Sequence, residues 1–231
     1  MERPNSRRDY VNLLYSLIVN IAAMPDAKST VLVVDDDPDL RASIGRLLRS
    51  LDLDARLFAS VSDFLNSDLP DGPACLVLDV RLPGQSGLDF QRELAGANRQ
   101  VPIIFITGHG DIPMSVQAMK GGAIEFLTKP FRDQELLDAI QLGLSRDRSR
   151  RENEKALTAL KERFASLSPR EREIVIQVAQ GRLSKQIAGE IGIAEATVKV
   201  HRSRAMRKMN ARSLPELGRM ADKLHLAPEK P

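Results

Sequence analysis

At 231 residues the chain is long enough for one large or two modest domains that each bury a core, and its single cysteine excludes an intrachain disulfide. The absence of tryptophan and the few aromatics argue against a stacking platform for single-stranded nucleic acid. The three histidines, His109, His201 and His225, are too scattered, and too far from the cysteine, for a zinc site. The net charge of +3 conceals a segregation: residues 31–145 carry 10 basic against 17 acidic side chains, while residues 167–224 carry 12 against 6. An acidic half joined to a basic half implies two domains with different partners, cation or phosphate chemistry in the first and nucleic acid in the second.

Residues 1–29 read as a dispensable N-terminal extension, the functional protein being expected to begin at Met24. Its apolar run, Tyr10 to Met24, is too short and too interrupted to span a membrane, and no convincing cleavage site follows it. No other stretch resembles a transmembrane helix, so the expected location is the cytoplasm and no membrane partner is expected.

From Ser29 the chain alternates strands and helices. Val31 to Val34 is an apolar strand ending in Asp35-Asp36-Asp37, with Asp37 and Pro38 suited to open a helix that carries Leu40, Ile44, Leu47, Leu48 and Leu51. Arg56 to Phe58 is a second strand and Val61 to Leu65 a short helix. Cys75 to Asp79 is a third strand, closed by a turn at Pro83-Gly84 and followed by a helix over Leu88 to Leu94; Cys75 reads as an inert core thiol. Val101 to Thr107 is the fourth strand, Met114 to Lys120 a helix stopped by Gly121-Gly122, and Ala123 to Thr128 the fifth strand. A last helix carries Leu136, Leu137, Ile140 and Leu144. Five β-α repeats describe a doubly wound, five-stranded parallel α/β sheet.

Ligands of such sheets bind at the carboxyl ends of the strands. Taken alone, Asp79 could equally be a turn cap; its neighbours decide otherwise. Strand one ends in Asp35 and Asp36, strand three in Asp79, strand four in Thr107 and strand five in Lys129. Clustered carboxylates repel unless a cation joins them, and an all-oxygen set selects a hard ion, most plausibly Mg²⁺. Lys129 supplies a positive charge for a phosphoryl group and Thr107 a hydroxyl for one of its oxygens.

With the Asp35-Asp36 pair, Leu78-Asp79-x-x-Leu82-Pro83-Gly84, the stretch Ile106 to Asp111 and Lys129-Pro130-Phe131 in this order, residues 30–145 resemble the receiver domain of two-component response regulators. The resemblance implies the flavodoxin-like strand order 2-1-3-4-5 and an Asp79 that takes a phosphoryl group from a sensor histidine kinase. It also implies Mg²⁺ on Asp36, Asp79 and the Arg81 backbone carbonyl with Asp35 assisting through water, and a cis Lys129–Pro130 bond. Thr107 and Phe126 would be the switch pair; without the neighbouring motif Phe126 reads as a plain core aromatic.

Residues 146–166 form a charged linker, helix or hinge. Leu157, Leu160, Phe164 and Leu167 suit either a short coiled-coil seam or packing on their own chain.

Residues 167–224 follow as an all-α domain, with 225–231 as a tail. Ser168-Pro169-Arg170-Glu171 opens it with a capping box, Ser184 caps a second helix, Gly192 turns the chain, and a third helix runs from Glu195 to Asn210. Val198, His201, Ala205 and Met209 form its inward stripe, and from Thr197 to Arg212 there are six cations and no acid. That composition favours the major groove of double-stranded DNA. The segment is similar to LuxR-type helix-turn-helix domains, so the whole chain resembles the NarL/FixJ class of response regulators. The expectation is Lys199, Val200 and Ser203 near base edges and Lys185, Thr197, Arg202 and Arg207 near phosphates, Arg202 standing where many such domains carry an apolar residue.

Together these readings describe a phosphorylation-dependent transcription regulator that forms a homodimer when phosphorylated, with RNA polymerase as a further partner and no turnover chemistry of its own. Two alternatives stand beside it. An aspartate-nucleophile phosphatase usually carries a second Asp two positions after the nucleophile, where this chain has Arg81; a regulator independent of phosphorylation would act by protein contact alone.

Overall fold

Apolar runs closed by turn residues set the order of elements in the computed structural model, which describes residues 28–97, 99–108 and 110–226. Residues 1–27 of the extension expected at 1–29, together with His109 and the tail beyond Leu226, lie outside the described residues.

β1 (Thr30–Val34) is buried along its whole length. Asp37 then accepts hydrogen bonds from the Asp39 and Leu40 amides and opens α1 (Pro38–Ser50). Next come β2 (Asp54–Phe58), α2 (Val61–Leu65), the fully buried β3 (Ala74–Asp79), a hairpin of β4 (Arg81–Leu82) and β5 (Gln85–Ser86), and α3 (Gly87–Gly96). β6 (Ile103–Thr107), α4 (Ile112–Lys120), β7 (Glu125–Thr128) and α5 (Asp133–Ala165) complete the α/β part. Five parallel strands pair in the order β2-β1-β3-β6-β7.

The pleat sorts the core into two layers. Leu32, Val34, Leu76, Leu78 and Phe105 face α2, α3 and α4, while Val31, Val33, Cys75, Val77, Ile104 and Ile106 face α1 and α5. Burial pushes the Cys75 thiol far above its usual pKa, with the Asp147 charge adding to the shift, which leaves it an inert core group.

Several boundaries differ from the sequence reading. β7 begins at Glu125 rather than Ala123, because the Ala123 amide is used to close α4 on the Ala118 carbonyl. β2 reaches back to Asp54, an edge strand paired only with β1 and so tolerant of polar residues. α4 starts at Ile112, since the Asp111 carboxylate caps the Met114 amide. The β4–β5 hairpin was not anticipated. Of the two readings of the linker, helix or hinge, residues 146–165 take the helical one as part of the 33-residue α5.

The first unit holds α5 through one buried carboxylate. Asp147 is 1% exposed and accepts from the Ala74 amide at 2.9 Å, Arg151 Nε at 2.7 Å and Arg150 Nη2 at 2.6 Å. Arg151 also donates to the backbone carbonyls of Asp71 and Pro70. The chain divides into two compact units between Arg151 and Glu152.

In the second unit Leu160 and Leu167, with Phe164 beside them, join Val175, Ala205, Met209, Leu217 and Ala221 in a core. Leu160, Phe164 and Leu167 thus pack on their own chain. α6 (Pro169–Ala179) starts at the Ser168–Glu171 capping box, followed by α7 (Ser184–Ile191), α8 (Glu195–Met209) and α9 (Leu214–Lys223). Gly192 makes the α7–α8 turn at φ 71°, a left-handed conformation that suits glycine. Ser184 is the first residue of α7 and not its cap: the Gln186 side chain accepts from the Leu183 amide, and the Ser184 hydroxyl accepts from Arg202. Among the described residues no helix is long and apolar enough to cross a membrane.

Glu171 ties α6 to α8. Its buried carboxylate accepts from Lys208 Nζ at 2.6 Å and from the Ser168 amide at 2.8 Å. The Lys208 hydrogen bond, followed by that from Ser168, holds its pKa below the ordinary 4.5.

Asp147→Ala strands the Ala74 amide without its acceptor and should destabilise the N-terminal unit by about 2 kcal/mol in urea unfolding, with Asp147→Asn, which keeps an acceptor oxygen, losing less. A folded pKa below the unfolded one gives Glu171 a stabilising contribution that is complete above pH 4.5 and lost as pH falls through the folded value. The urea midpoint of the C-terminal unit, followed by its amide NMR signals, should therefore drop more steeply from about pH 6 to about pH 3 in the native chain than in Glu171→Gln.

Candidate functional site: an acidic cluster and a basic helix

The parallel sheet places the ends of β1, β3, β6 and the β7 turn along one edge, and four of the expected residues meet there. Carboxylate oxygens of Asp35, Asp36 and Asp79 all lie within 4.8 Å of one another. Lys129 Nζ enters from beyond β7, 2.6 Å from Asp79 Oδ2 and 2.8 Å from Asp35 Oδ2. The Lys129–Pro130 peptide bond is cis, as the resemblance implied.

Burial differs across the cluster. Asp35 is fully enclosed, Asp79 is 6% exposed, and Asp36 faces solvent. Burial lifts the Asp35 carboxyl above its ordinary pKa, against the hydrogen bonds from Lys129 and the Asp37 amide. For Lys129 burial works in the other direction, but hydrogen bonds and charge from Asp35 and Asp79 outweigh it and raise its pKa. The second Asp79 oxygen, Oδ1, accepts from the Arg81 amide at 2.9 Å, so the β4–β5 hairpin holds one side of the carboxylate and the lysine the other. Three carboxylates facing one ammonium leave an excess of negative charge in an all-oxygen set, the donor chemistry that fits a hard divalent cation such as Mg²⁺.

Thr107 ends β6, fully buried, and its backbone carbonyl accepts from the Lys129 amide at 2.7 Å. Phe126 stands one strand over in register with Phe105, half-buried, with ring centroids 6.4 Å apart. Gly110 lies against both: a Cβ there would stand 2.8 Å from the Phe126 ring and 3.2 Å from the Thr107 methyl. A groove of about 570 Å³, lined by Leu40, Ile44, Leu47 and Phe131, opens beside Lys129.

In the second unit α8 has the two faces that the wheel predicts. Val198, Ala205 and Met209 are wholly buried, and His201 is half-buried with Nδ1 enclosed. Lys185, Thr197, Lys199, Val200, Ser203 and Arg207 project to solvent, Val200 with 49% of its surface exposed. Arg202 makes a contact within the unit. It is half-buried and donates to Ser184 Oγ at 2.7 Å, because the hydroxyl at the start of α7 needs a partner once Gln186 takes the cap. The outward face is also less uniformly cationic than the stretch from Thr197 suggested. Glu195, two residues earlier, pairs with Lys199 at 2.8 Å, and this hydrogen bond lowers its pKa.

Comparison with known proteins covers both units. A response regulator receiver domain model matches residues 31–141, and the luxR family of bacterial regulatory proteins matches residues 165–221. Nodulation protein W of Bradyrhizobium diazoefficiens is 54% identical over 200 residues, 87% of this chain and 88% of that protein. Response regulator protein TodT of Pseudomonas putida is 45% identical over 210 residues, 91% of this chain and 92% of that protein. The low-resolution structure of the response regulator StyR superposes with a TM-score of 0.75 at 49% identity, spanning 85% of this chain and all of that one.

Proposed function

The chain belongs to the response regulators that join a receiver domain to a luxR-family DNA-binding domain, and from that premise we propose that Asp79 is a reversible phosphoryl acceptor whose loading controls promoter binding. The observation that carries the proposal is the carboxylate of Asp79 at the end of a buried strand, with Lys129 at 2.6 Å and two further acids beside it. In the transfer, an Asp79 oxygen attacks the phosphorus of a sensor kinase phosphohistidine. The O–P bond forms as the P–N bond breaks, and the electron pair stays on the released ring nitrogen, the histidine leaving as neutral imidazole because its other ring nitrogen carries a proton. Lys129 neutralises the incoming phosphoryl oxygens, and Thr107 hydrogen-bonds one of them. Asp36, Asp79 and the Arg81 carbonyl would hold Mg²⁺, with Asp35 assisting through water; when bound, the ion supplies charge neutralisation at the phosphoryl group. The groove beside Lys129, where Leu40, Ile44, Leu47 and Phe131 stand with Asp37 and Asp133, gives the kinase domain a mixed apolar and charged seat next to the acceptor. Phosphorylation adds about −1.5 to −2 charges. Thr107 shifts toward them, and Phe126 rotates into the space it leaves. Coupling of this kind is worth about 1–3 kcal/mol, enough to move a population toward the dimer.

In the second domain Lys199, Val200 and Ser203 read base edges, and Lys185, Thr197, Arg202 and Arg207 hold phosphates. Arg202 also braces α7 against α8 through Ser184. A homodimer sets two such helices on double-stranded DNA, and RNA polymerase is the partner through which a bound regulator acts. This chemistry belongs to the cytoplasm. The protein takes part in its own phosphorylation and dephosphorylation without being a turnover enzyme.

Asp79→Asn should abolish acid-labile phosphate uptake and any gain in DNA affinity on treatment with a phosphodonor, measured by radiolabel and by binding titration. Unchanged affinity and oligomeric state in that variant would favour the phosphorylation-independent regulator, and steady turnover of phosphate esters the phosphatase. Lys199→Ala should cost about 1–3 kcal/mol at a specific site and less at non-specific DNA; equal losses would remove the base contact. Genome-wide mapping of bound DNA with and without an intact Asp79 tests partner and switch together.

A further inference from the structure

The hairpin after β3 carries a constraint that the acidic cluster alone does not explain. The chain leaves the strand at Val80, turns through Arg81–Leu82 and Gln85–Ser86, which pair antiparallel, and returns at Gly87. There the Gly87 amide donates to the Val80 carbonyl at 2.9 Å. A Cβ built on Gly87 would overlap the Asp79 carbonyl oxygen and lie 3.1 Å from Val80 Cα and 3.2 Å from the Asp79 carbonyl carbon. Every one of these neighbours is backbone, so no side chain can rotate away to make room. Gly87 is also the first residue of α3, where helical propensity alone favours alanine. Its presence is explained by the close approach, not by the helix.

We propose that Gly87 is a positioning residue for the phosphoryl acceptor: its bare Cα lets the returning chain seat on the Asp79 peptide, which fixes both the Asp79 carboxylate and the Arg81 backbone. The inference rests on the reading of Asp79 as acceptor. Two of the groups assigned to the site, the Asp79 side chain and the Arg81 carbonyl, stand on the segment that Gly87 closes, and the Arg81 amide donates to Asp79 Oδ1 at 2.9 Å. A methyl group at position 87 must displace the Asp79–Val80 backbone. A displacement approaching an ångström at a reacting group costs about 100-fold in rate.

The test uses the full-length chain with acetyl phosphate as donor and magnesium chloride as the ion. Native protein and Asp79→Asn come first: failure of the native chain to take up phosphate at Asp79 overturns the acceptor reading itself, before Gly87 is involved. Gly87→Ala should then lower the phosphorylation rate by about 10- to 100-fold and weaken magnesium binding, measured by calorimetry, while a cooperative urea transition at a lower midpoint shows the N-terminal unit still folded. Gly96→Ala, in the same helix with nothing within 4 Å of its added methyl, should match the native chain in all three readouts. A rate and a magnesium affinity in Gly87→Ala within about 3-fold of native would overturn the proposal, because the contact would then relax without effect. Should Gly87→Ala not fold, hydrogen exchange in the native chain decides. The Gly87 amide should be protected at least about 100-fold over a free peptide, and exchange at nearly the peptide rate would show a closure too loose to position anything.

Discussion

Lys129 reaching between Asp35 and Asp79 is the interaction on which the N-terminal unit's chemistry depends. Two carboxylates about 4–5 Å apart repel by about 3–4 kcal/mol at an effective dielectric of about 20, and a third acid stands beside them here. The lysine offsets part of that repulsion and cannot offset all of it. The remainder is held by the sheet: β1 and β3 are buried along their whole length, and their apolar side chains fix the strand ends wherever the charges would rather be. A site strained in this way favours whatever brings positive charge to it. The core thus does more than stabilise the fold; it keeps three acids close enough to need a partner.

The second unit divides its cations between structure and surface. Lys208 is committed to Glu171 and Arg202 to Ser184, so two of the six positive residues between Thr197 and Arg212 brace the helices against each other. Lys199, Arg207 and the apolar Val200 remain outward. A count of positive charge therefore overstates what the helix offers to phosphates, and the bracing explains how so basic a helix stays docked on its own core.

Most of the first unit could be read from the chain because a strand buried on both faces is a continuous apolar run, and the residue that ends it is a visible change of type. Asp35, Asp79, Thr107 and Lys129 each stand at such a change, and the strand order followed only from resemblance. What escaped reading has a common cause. The β4–β5 hairpin is two residues wide on each side, too short for any periodicity, and the role of Gly87 depends on a backbone contact that has no side-chain signature. The charged stretch from Ser145 to Lys155 reads equally as helix or hinge, since Asp147, its one deeply buried acid, looks like its solvated neighbours until Ala74 is known to lie beneath it. The Arg202–Ser184 bond escaped reading for the same reason: it depends on which residue caps α7.

The Glu195–Lys199 pair shows how little an exposed neighbour of opposite sign restrains a long side chain. The two stand one helical turn apart with both side chains open to solvent, so their bond contributes little and weakens as salt rises. The ammonium is thus parked and not anchored: its resting direction along α8 is set by a contact that ordinary thermal motion breaks.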